Sequence, residues 1–374
     1  MYICNIGSIN VPDDIDKIFS SDGKFLISPT LGKEHFFEMS GEAMYYAIKY
    51  IENASGGNLY AYKKRIVDAI VLRINSCGGI IVHNSLFGKE NDTQLRATSA
   101  AIRALIVSMV DGFEVKDYIS QLANYHFQFY LQWMEGKWFC HDTSEYNGKG
   151  PVTHLRTNVL KTSKGNTLTL NTHFDSLSTL MLLEQYEKKL NLSFSVNTLL
   201  AETLTSLKQL LRIDQNHSKI NDKLQVLDCK MLRRNIDTQD RFSLLYERLI
   251  HPLIFKVFSP TIFFKYGFIA RDMAVLNRHL DYHVVNMVDI SRFLCMLKKT
   301  SIINENQELF ESFKLLLTKA VNIVESVPEY RSKVTDNDLS IAWLCELSLL
   351  LDELSITNPY QAQGYDFPQY TPFI

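Results

Sequence analysis

Four stretches of this chain are long enough to be helices and almost free of charge: "ATSAAIRALIVSMV" (97–110), "DSLSTLMLLEQY" (175–186), "HVVNMVDISRFLCML" (283–297) and "LSIAWLCELSLLL" (339–351). A helix that is apolar all round has no wet side, so other elements must enclose it. Between these lie stretches with charge on one face only: "YKKRIVDAIVLRI" (62–74), "KDYISQLANYHFQFYLQWM" (116–134), "NTLLAETLTSLKQLLRI" (197–213) and "ELFESFKLLLTKAVNIVESV" (308–327). Those read as amphipathic helices with one solvated side. The two kinds alternate, and "HFFEMSGEAMYYAIKYIEN" (35–53) reads as a further helix joined to 62–74 by the breaker "ASGGNLY". No strict repeat length emerges, which disfavours a consensus solenoid. Enclosed and half-wet helices in alternation predict an all-α fold. They suit an α/α toroid, complete or incomplete, with inner helices ringed by outer ones, over a plain bundle or an irregular α-domain.

The predicted toroid spans residues 36–356. Residues 1–35 form an N-terminal extension in which "GKFLISPT" suits short strands, and 357–374 an aromatic, Pro-rich tail, "NPYQAQGYDFPQYTPFI", that cannot be helical throughout. Its aromatics suit docking across the ring or a partner contact such as a homodimer. A net charge of −2 over 374 residues gives no bulk field to recruit nucleic acid or an anionic membrane. No apolar run approaches the roughly 20 residues of a membrane span. No signal peptide is apparent, and Cys4, Cys77, Cys140, Cys229, Cys295 and Cys345 form no CxxC pair, so a cytoplasmic protein with reduced thiols is expected.

Inner helices of a toroid point the same way, and their N-termini line one mouth. Here the enclosed helices open with "NDTQLR" (91–96), "NTHFD" (171–175), "DYHVVN" (281–286) and "TDNDLS" (335–340). Helix capping accounts for Asp92, Asn171 and Thr335. It does not call for Arg96, His173, Tyr282 or His283. Two long loops, 136–167 and 258–283, mix aromatic with ionisable residues and lead into these mouths, which points to a site.

The order "SEYNG" (144–148), "VLKTSKGNTLTLNTHFDSLSTLMLLEQYEK" (159–188), "ETLTSLKQLLRIDQN" (202–216), "KYGFIARD" (265–272) and "LDYHVVNMVDISRFL" (280–294) resembles the C-terminal catalytic domain of D-glucuronyl C5-epimerases. The resemblance covers roughly residues 90 to 300. It sets Glu145-Tyr146, Asn171, Tyr266 with Arg271, and Asp281-Tyr282-His283 in the places of that family's motifs. Two features depart from the pattern: family enzymes carry β-rich domains before the helical one, and they have no pair like His141-Asp142.

The resemblance implies a carbohydrate-active isomerase that removes the C5 proton of a uronic acid in a glycan or polysaccharide and returns one to the opposite face. Such chemistry needs an acid and a base on opposite sides of the sugar, with cations or donors for the developing enolate. Glu145, Tyr146, Tyr266 and Tyr282 are the catalytic candidates it implies, with Arg156, Lys161, Lys265 and Arg271 as nearby cations. Arg96, His141, Asp142, Asn171, His173, Arg271 and His283 are the substrate-binding candidates. The bland reading of each tyrosine is a half-buried aromatic with its hydroxyl tied off. The same groups would serve a polysaccharide lyase, or a glycoside hydrolase if Glu145 faces Asp142 or Asp175. Aromatic loops that only stack on sugars would make a non-catalytic glycan-binding protein. His141, His173 and His283 with Asp142 raise a zinc site, but no HxH or HExxH spacing supports it, so neither metal nor cofactor is expected.

Overall fold

The computed structural model describes residues 2–5, 26–27, 36–37, 59–80, 95–146, 168–215, 241, 245, 262–263, 267–271, 280–326 and 338–363. Three short strands come first, β1 (Tyr2–Asn5), β2 (Leu26–Ile27) and β3 (Phe36–Phe37), then the helices α1 (Leu59–Leu72), α2 (Leu95–Val110) and α3 (Lys116–His126). A hairpin of β4 (Tyr130–Trp133) and β5 (Gly136–Phe139) leads through the single turn α4 (Thr143–Tyr146) towards α5 (Leu170–Glu184) and α6 (Val196–Gln215). The chain continues with α7 (Leu280–Lys299), α8 (Gln307–Ser326), α9 (Asp338–Glu353) and β6 (Tyr360–Gln363). Among the described residues helix dominates and each sheet has two short strands, so the fold is all-α. Among the described residues, no helix is long and apolar enough to cross a membrane.

The four near-uncharged stretches become α2, α5, α7 and α9, and they pack in that order, each against the next. Every residue of α5 from Leu170 to Leu183 is buried, as is α2 from Leu95 to Ser108. The amphipathic helices lie outside them: α3 on α2, α6 on α5 and α8 on α7. Phe174 of α5 meets Phe293 of α7 and Phe313 of α8 edge-on, at 5.2 and 5.1 Å between centroids, and so joins the two layers. Inner helices α7 and α9 run parallel, because Arg292 meets Glu346, Cys295 meets Leu350 and Lys298 meets Glu353 in ascending order. Outer helix α8 runs against α7: His283 meets Ala320, and Phe293 meets Phe313.

Two sequence expectations need correction. The amphipathic stretch 116–134 is helical only to His126, and residues that follow turn back as β4 and β5, pairing Tyr130 with Phe139 and Trp133 with Gly136. Its run of large aromatics satisfies a strand as readily as a helix, and burial of Trp133, Trp138 and Phe139 decides for the hairpin. Phe36 and Phe37, expected to open a helix, instead pair with Ile27 and Leu26. At the ends of the described chain, β1 pairs in parallel with β6, Tyr2 opposite Tyr360, and packs against α9.

The hairpin is one of three equivalent devices that the irregular spacing conceals. Antiparallel pairing also joins Ile74 to Ile80 and Phe263 to Ile269. The last residue of each hairpin donates its backbone N–H to the fourth residue of an inner helix: Ile80 to Thr98 Oγ1 (3.4 Å), Phe139 to His173 Nδ1 (3.2 Å) and Ile269 to His283 Nδ1 (3.0 Å). Each hairpin also presses a glycine on the following outer helix. A Cβ on Gly78 would lie 3.3 Å from Tyr125 of α3, one on Gly136 would lie 2.6 Å from Glu202 O and Ser206 N of α6, and one on Gly267 would overlap the Lys319 backbone of α8. Gly112 also has positive φ (96° against 102° at Gly267) but nothing within 4 Å of its Cβ position. Gly112→Ala should therefore cost only the left-handed strain of roughly 1–2 kcal/mol. Gly267→Ala should add about 1–3 kcal/mol of overpacking. Urea unfolding of the two variants checks the difference, and equal losses would remove the close approach as the reason for Gly267.

Candidate functional site

Charges that look isolated within uncharged helices meet in the interior. Arg292 of α7 donates to Glu346 of α9 (2.6 Å from Nη2, 2.9 Å from Nε), to Asp175 of α5 (3.1 Å) and to Asp289 of its own helix (3.0 Å). Arg103 of α2 reaches Asp175 at 2.7 Å, and Arg96 reaches Asp289 at 2.5 and 3.2 Å. All six residues are buried. Burial pushes the Asp175 carboxyl up, but the guanidiniums of Arg103, Arg96 and Arg292 outweigh it and hold the group well below the usual carboxylate range.

His173 and His283 lie inside the protein, fully buried, each holding a hairpin. Both accept a backbone N–H at Nδ1, so the proton of the neutral ring sits on Nε2. From there His283 donates to Ala320 O at 3.2 Å, and His173 lies 3.4 Å from Ser206 Oγ. His173 stacks on Trp138 with centroids 3.9 Å apart, and His283 on Phe268 at 4.9 Å. Burial lowers His173 to about 3 and His283 to about 4. Protonation would also set N–H against N–H at Nδ1. Both rings are thus committed to the fold. Among the described residues no three His, Cys, Asp or Glu side chains converge as a metal set.

Above this interior, residues that follow the second and third hairpins cross to the start of the preceding inner helix. Leu95 of α2 donates its N–H to His141 O (3.2 Å), and Leu170 of α5 donates to Arg271 O (2.8 Å). Two groups of predicted site residues form as a result. At the start of α2, His141 Nδ1 lies 3.0 Å from Asp142 Oδ2, and Tyr146 packs edge-on against Phe129. At the start of α5 and α7, the Arg271 guanidinium lies 4.9 Å from the Tyr282 ring centroid, and Asn286 Nδ2 donates to Ala270 O (3.0 Å).

Asn171, expected as a cap, is the second residue of α5. Thr169 stands at the cap position but its side chain makes no capping bond, and Arg271 O accepts the Leu170 N–H instead. Asn171 Oδ1, Thr172 Oγ1, Asp175 Oδ2 and Asn286 Oδ1 are all buried, and among the described residues none has a hydrogen-bond partner. Orphaned groups of this kind cost about 1–3 kcal/mol each, and these four fall on two inner helices packed against one another, three on α5 and one on α7.

Arg96 belongs to the interior network rather than to the mouth. Tyr266, Arg156, Lys161 and Lys265 lie outside the described residues, as do the side chains of Glu145 and Asp281. Arg103, Asp289, Arg292 and Glu346 are absent from the sequence expectations, although a lone charge in an uncharged helix is their signal, and Asn286 carries no such signal.

His126 is buried as well and lowered by burial to about 3. With ordinary values near 6.5, these three histidines take up protons in the unfolded chain before the folded one can. Their contribution to stability is complete above pH 6.5 and declines as the pH falls towards 4. The slope should approach three protons, about 4 kcal/mol per pH unit from the linkage relation. Urea unfolding between pH 7 and 4.5 measures it, and a flat profile would contradict the neutral, buried rings. No protein-family model matches this chain, and neither a curated protein nor a solved structure matches it.

Proposed function

We propose that this chain is a carbohydrate-active enzyme on an α/α toroid that removes and returns the C5 proton of a uronic acid within a glycan. The observation that carries the reading is the set of orphaned acceptors, Asn171 Oδ1, Thr172 Oγ1, Asp175 Oδ2 and Asn286 Oδ1, on the two helices α5 and α7, to which backbone bonds at Arg271 and Ala270 join the Arg271–Tyr282 segment. Those oxygens call for a ligand rich in hydroxyl donors. The charges beneath them balance, three guanidiniums against three carboxylates, so a further buried charge of either sign would be uncompensated. A neutral polyol is the ligand class that such acceptors suit. Arg271, only partly buried, is the cation for a single carboxylate above it.

In this reading Asn171, Asn286 and Thr172 orient the sugar. Arg271 neutralises the carboxylate as negative charge grows on it during C5–H cleavage, and Tyr282 exchanges a proton at C5. Glu145 and Tyr146 on α4, with Tyr266, complete the catalytic set implied by the epimerase resemblance. Alternation of enclosed α2, α5, α7 and α9 with the half-wet α3, α6 and α8 supports the toroid, and the lack of a net field supports a lightly charged glycan over nucleic acid.

Incubating uronate-containing oligosaccharides with the protein in D₂O should place deuterium at C5 without shortening the chain, read by mass spectrometry. Tyr282→Phe keeps the ring under Arg271 and should lower exchange by about 10²-fold or more while oligosaccharide binding changes little. A 4,5-unsaturated product absorbing in the near ultraviolet would mean a lyase, and new reducing ends without deuterium a hydrolase. Full exchange by Tyr282→Phe would remove the tyrosine from the proton transfer.

A further inference from the structure

The backbone that leads into Arg271 is held residue by residue. Gly267 lies so close to α8 that a Cβ there would fall 2.4 Å from Lys319 O. Phe268 stacks on the His283 ring with centroids 4.9 Å apart. Ile269 donates its N–H to His283 Nδ1 (3.0 Å), and Ala270 donates to Ile262 O (2.9 Å). Ala270 O accepts from Asn286 Nδ2 (3.0 Å), and Arg271 O accepts from Leu170 of α5 (2.8 Å). Phe268, Ile269 and Ala270 are buried, whereas Arg271 is only partly so. Its guanidinium lies 4.9 Å from the centroid of the Tyr282 ring. Tyr282, His283 and Asn286 all belong to the start of α7, so little more than one helix turn meets both the backbone and the side chain of this segment.

One of these bonds has no counterpart in the other two hairpins. In every unit the fourth residue of the inner helix, Thr98, His173 or His283, takes the N–H of the last hairpin residue. Three residues further along stand Ala101, Ser176 and Asn286. Ala101 has no polar side chain, and Ser176 turns to His126 of α3 at 2.9 Å. Of the three, only Asn286 reaches back to the residue after its hairpin. The first two hairpins dock without a side chain from that position, so docking alone does not call for it. The residue that follows Ala270 is Arg271, the cation of the uronate reading.

A carbonyl oxygen can only accept, so Nδ2 is the amide atom turned to Ala270, and Oδ1 is left for another donor. That oxygen is buried and has no hydrogen-bond partner among the described residues. Resting on the uronate reading above, we propose that Asn286 is the positioning residue for Arg271, its one planar amide setting the guanidinium at a fixed spacing from Tyr282 and from an acceptor for a sugar hydroxyl. Through the Nδ2 bond it keeps the cation in register with the sugar carboxylate while charge grows there during C5–H cleavage. Without that bond the hairpin stays docked through His283, but Ala270 loses its tie to α7 and Arg271 its register with Tyr282.

A double-mutant cycle on the rate of C5 deuteration in D₂O, with uronate-containing oligosaccharides, tests the role. Asn286→Ala in the otherwise unaltered protein should slow exchange by about 10-fold or more. In an Arg271→Ala background the same substitution should cost no more than about two-fold, because the group it positions is gone. An asparagine that served only the fold, or only the sugar, would cost the same factor in both backgrounds. Asn286→Ser, whose side chain ends one atom short of the amide, carries the cycle should Asn286→Ala melt well below the parent. Equal losses in the two backgrounds, or no loss in either, would overturn the positioning role and leave the uronate reading standing. Absence of exchange with the unaltered protein would overturn both.

Discussion

Arg292 is the point on which the interior depends. Its guanidinium contacts carboxylates on α5, α7 and α9, and Arg103 and Arg96 extend the network to α2. Withdrawing an ion from water costs several kcal/mol even after relaxation, so such a network holds only when every charge has its partner in place. The requirement works as a register. Turning any one inner helix by a single residue, about 100°, would aim its charge into hydrocarbon. Leu, Ile and Val elsewhere on these helices would tolerate such a turn, because apolar contacts are not directional. The six ionised groups therefore select one arrangement of helices that hydrophobic burial alone leaves open.

The space between inner and outer helices raises a second demand. A hairpin there brings peptide N–H groups into a region without water, and each needs an acceptor. Thr98, His173 and His283 meet that need from the same helical position. The two histidines add a flat face for Trp138 and Phe268 and a donor turned to the outer layer. A neutral imidazole joins acceptor, donor and aromatic surface in one side chain, which suits a position wedged between a strand end and a helix. The glycines of the hairpins permit the close approach that makes these bonds short enough.

The enclosed helices were legible in sequence because absence of charge over a dozen residues has few explanations. Their polar openings were harder to read, since Asn, Thr, His and Asp at a helix start suggest capping. The structure divides them among separate tasks: Asp175 goes to the charge network and His173 to the hairpin, while Asn171 Oδ1 has no hydrogen-bond partner among the described residues. What separates these roles is contact across long stretches of chain, such as Arg96 with Asp289, 193 residues apart, which no local pattern carries. The repeat was hidden for a related reason. Its conserved content is a few hydrogen bonds and one glycine per unit, while the intervening lengths vary freely. The His141-Asp142 pair was visible as a departure from the epimerase pattern, but its place beside α2 was not.

The contrast among the histidines shows how differently the same side chain is set within one fold. His173 and His283 have both ring nitrogens engaged within a fully buried setting, so a proton gained there would have to displace a backbone bond. His141 has its Nδ1 3.0 Å from the Asp142 carboxylate and keeps 14% of its side chain exposed, a setting unlike that of the two fully buried rings. A network with balanced charge below and a cation and an imidazole–carboxylate pair above also separates binding by hydrogen bonds from handling of charge. Under the proposed uronate chemistry, developing negative charge belongs beside Arg271, because the three guanidiniums of the interior network are already matched by three carboxylates. The proposed ligand, with one acidic group and several hydroxyls, answers both levels at once.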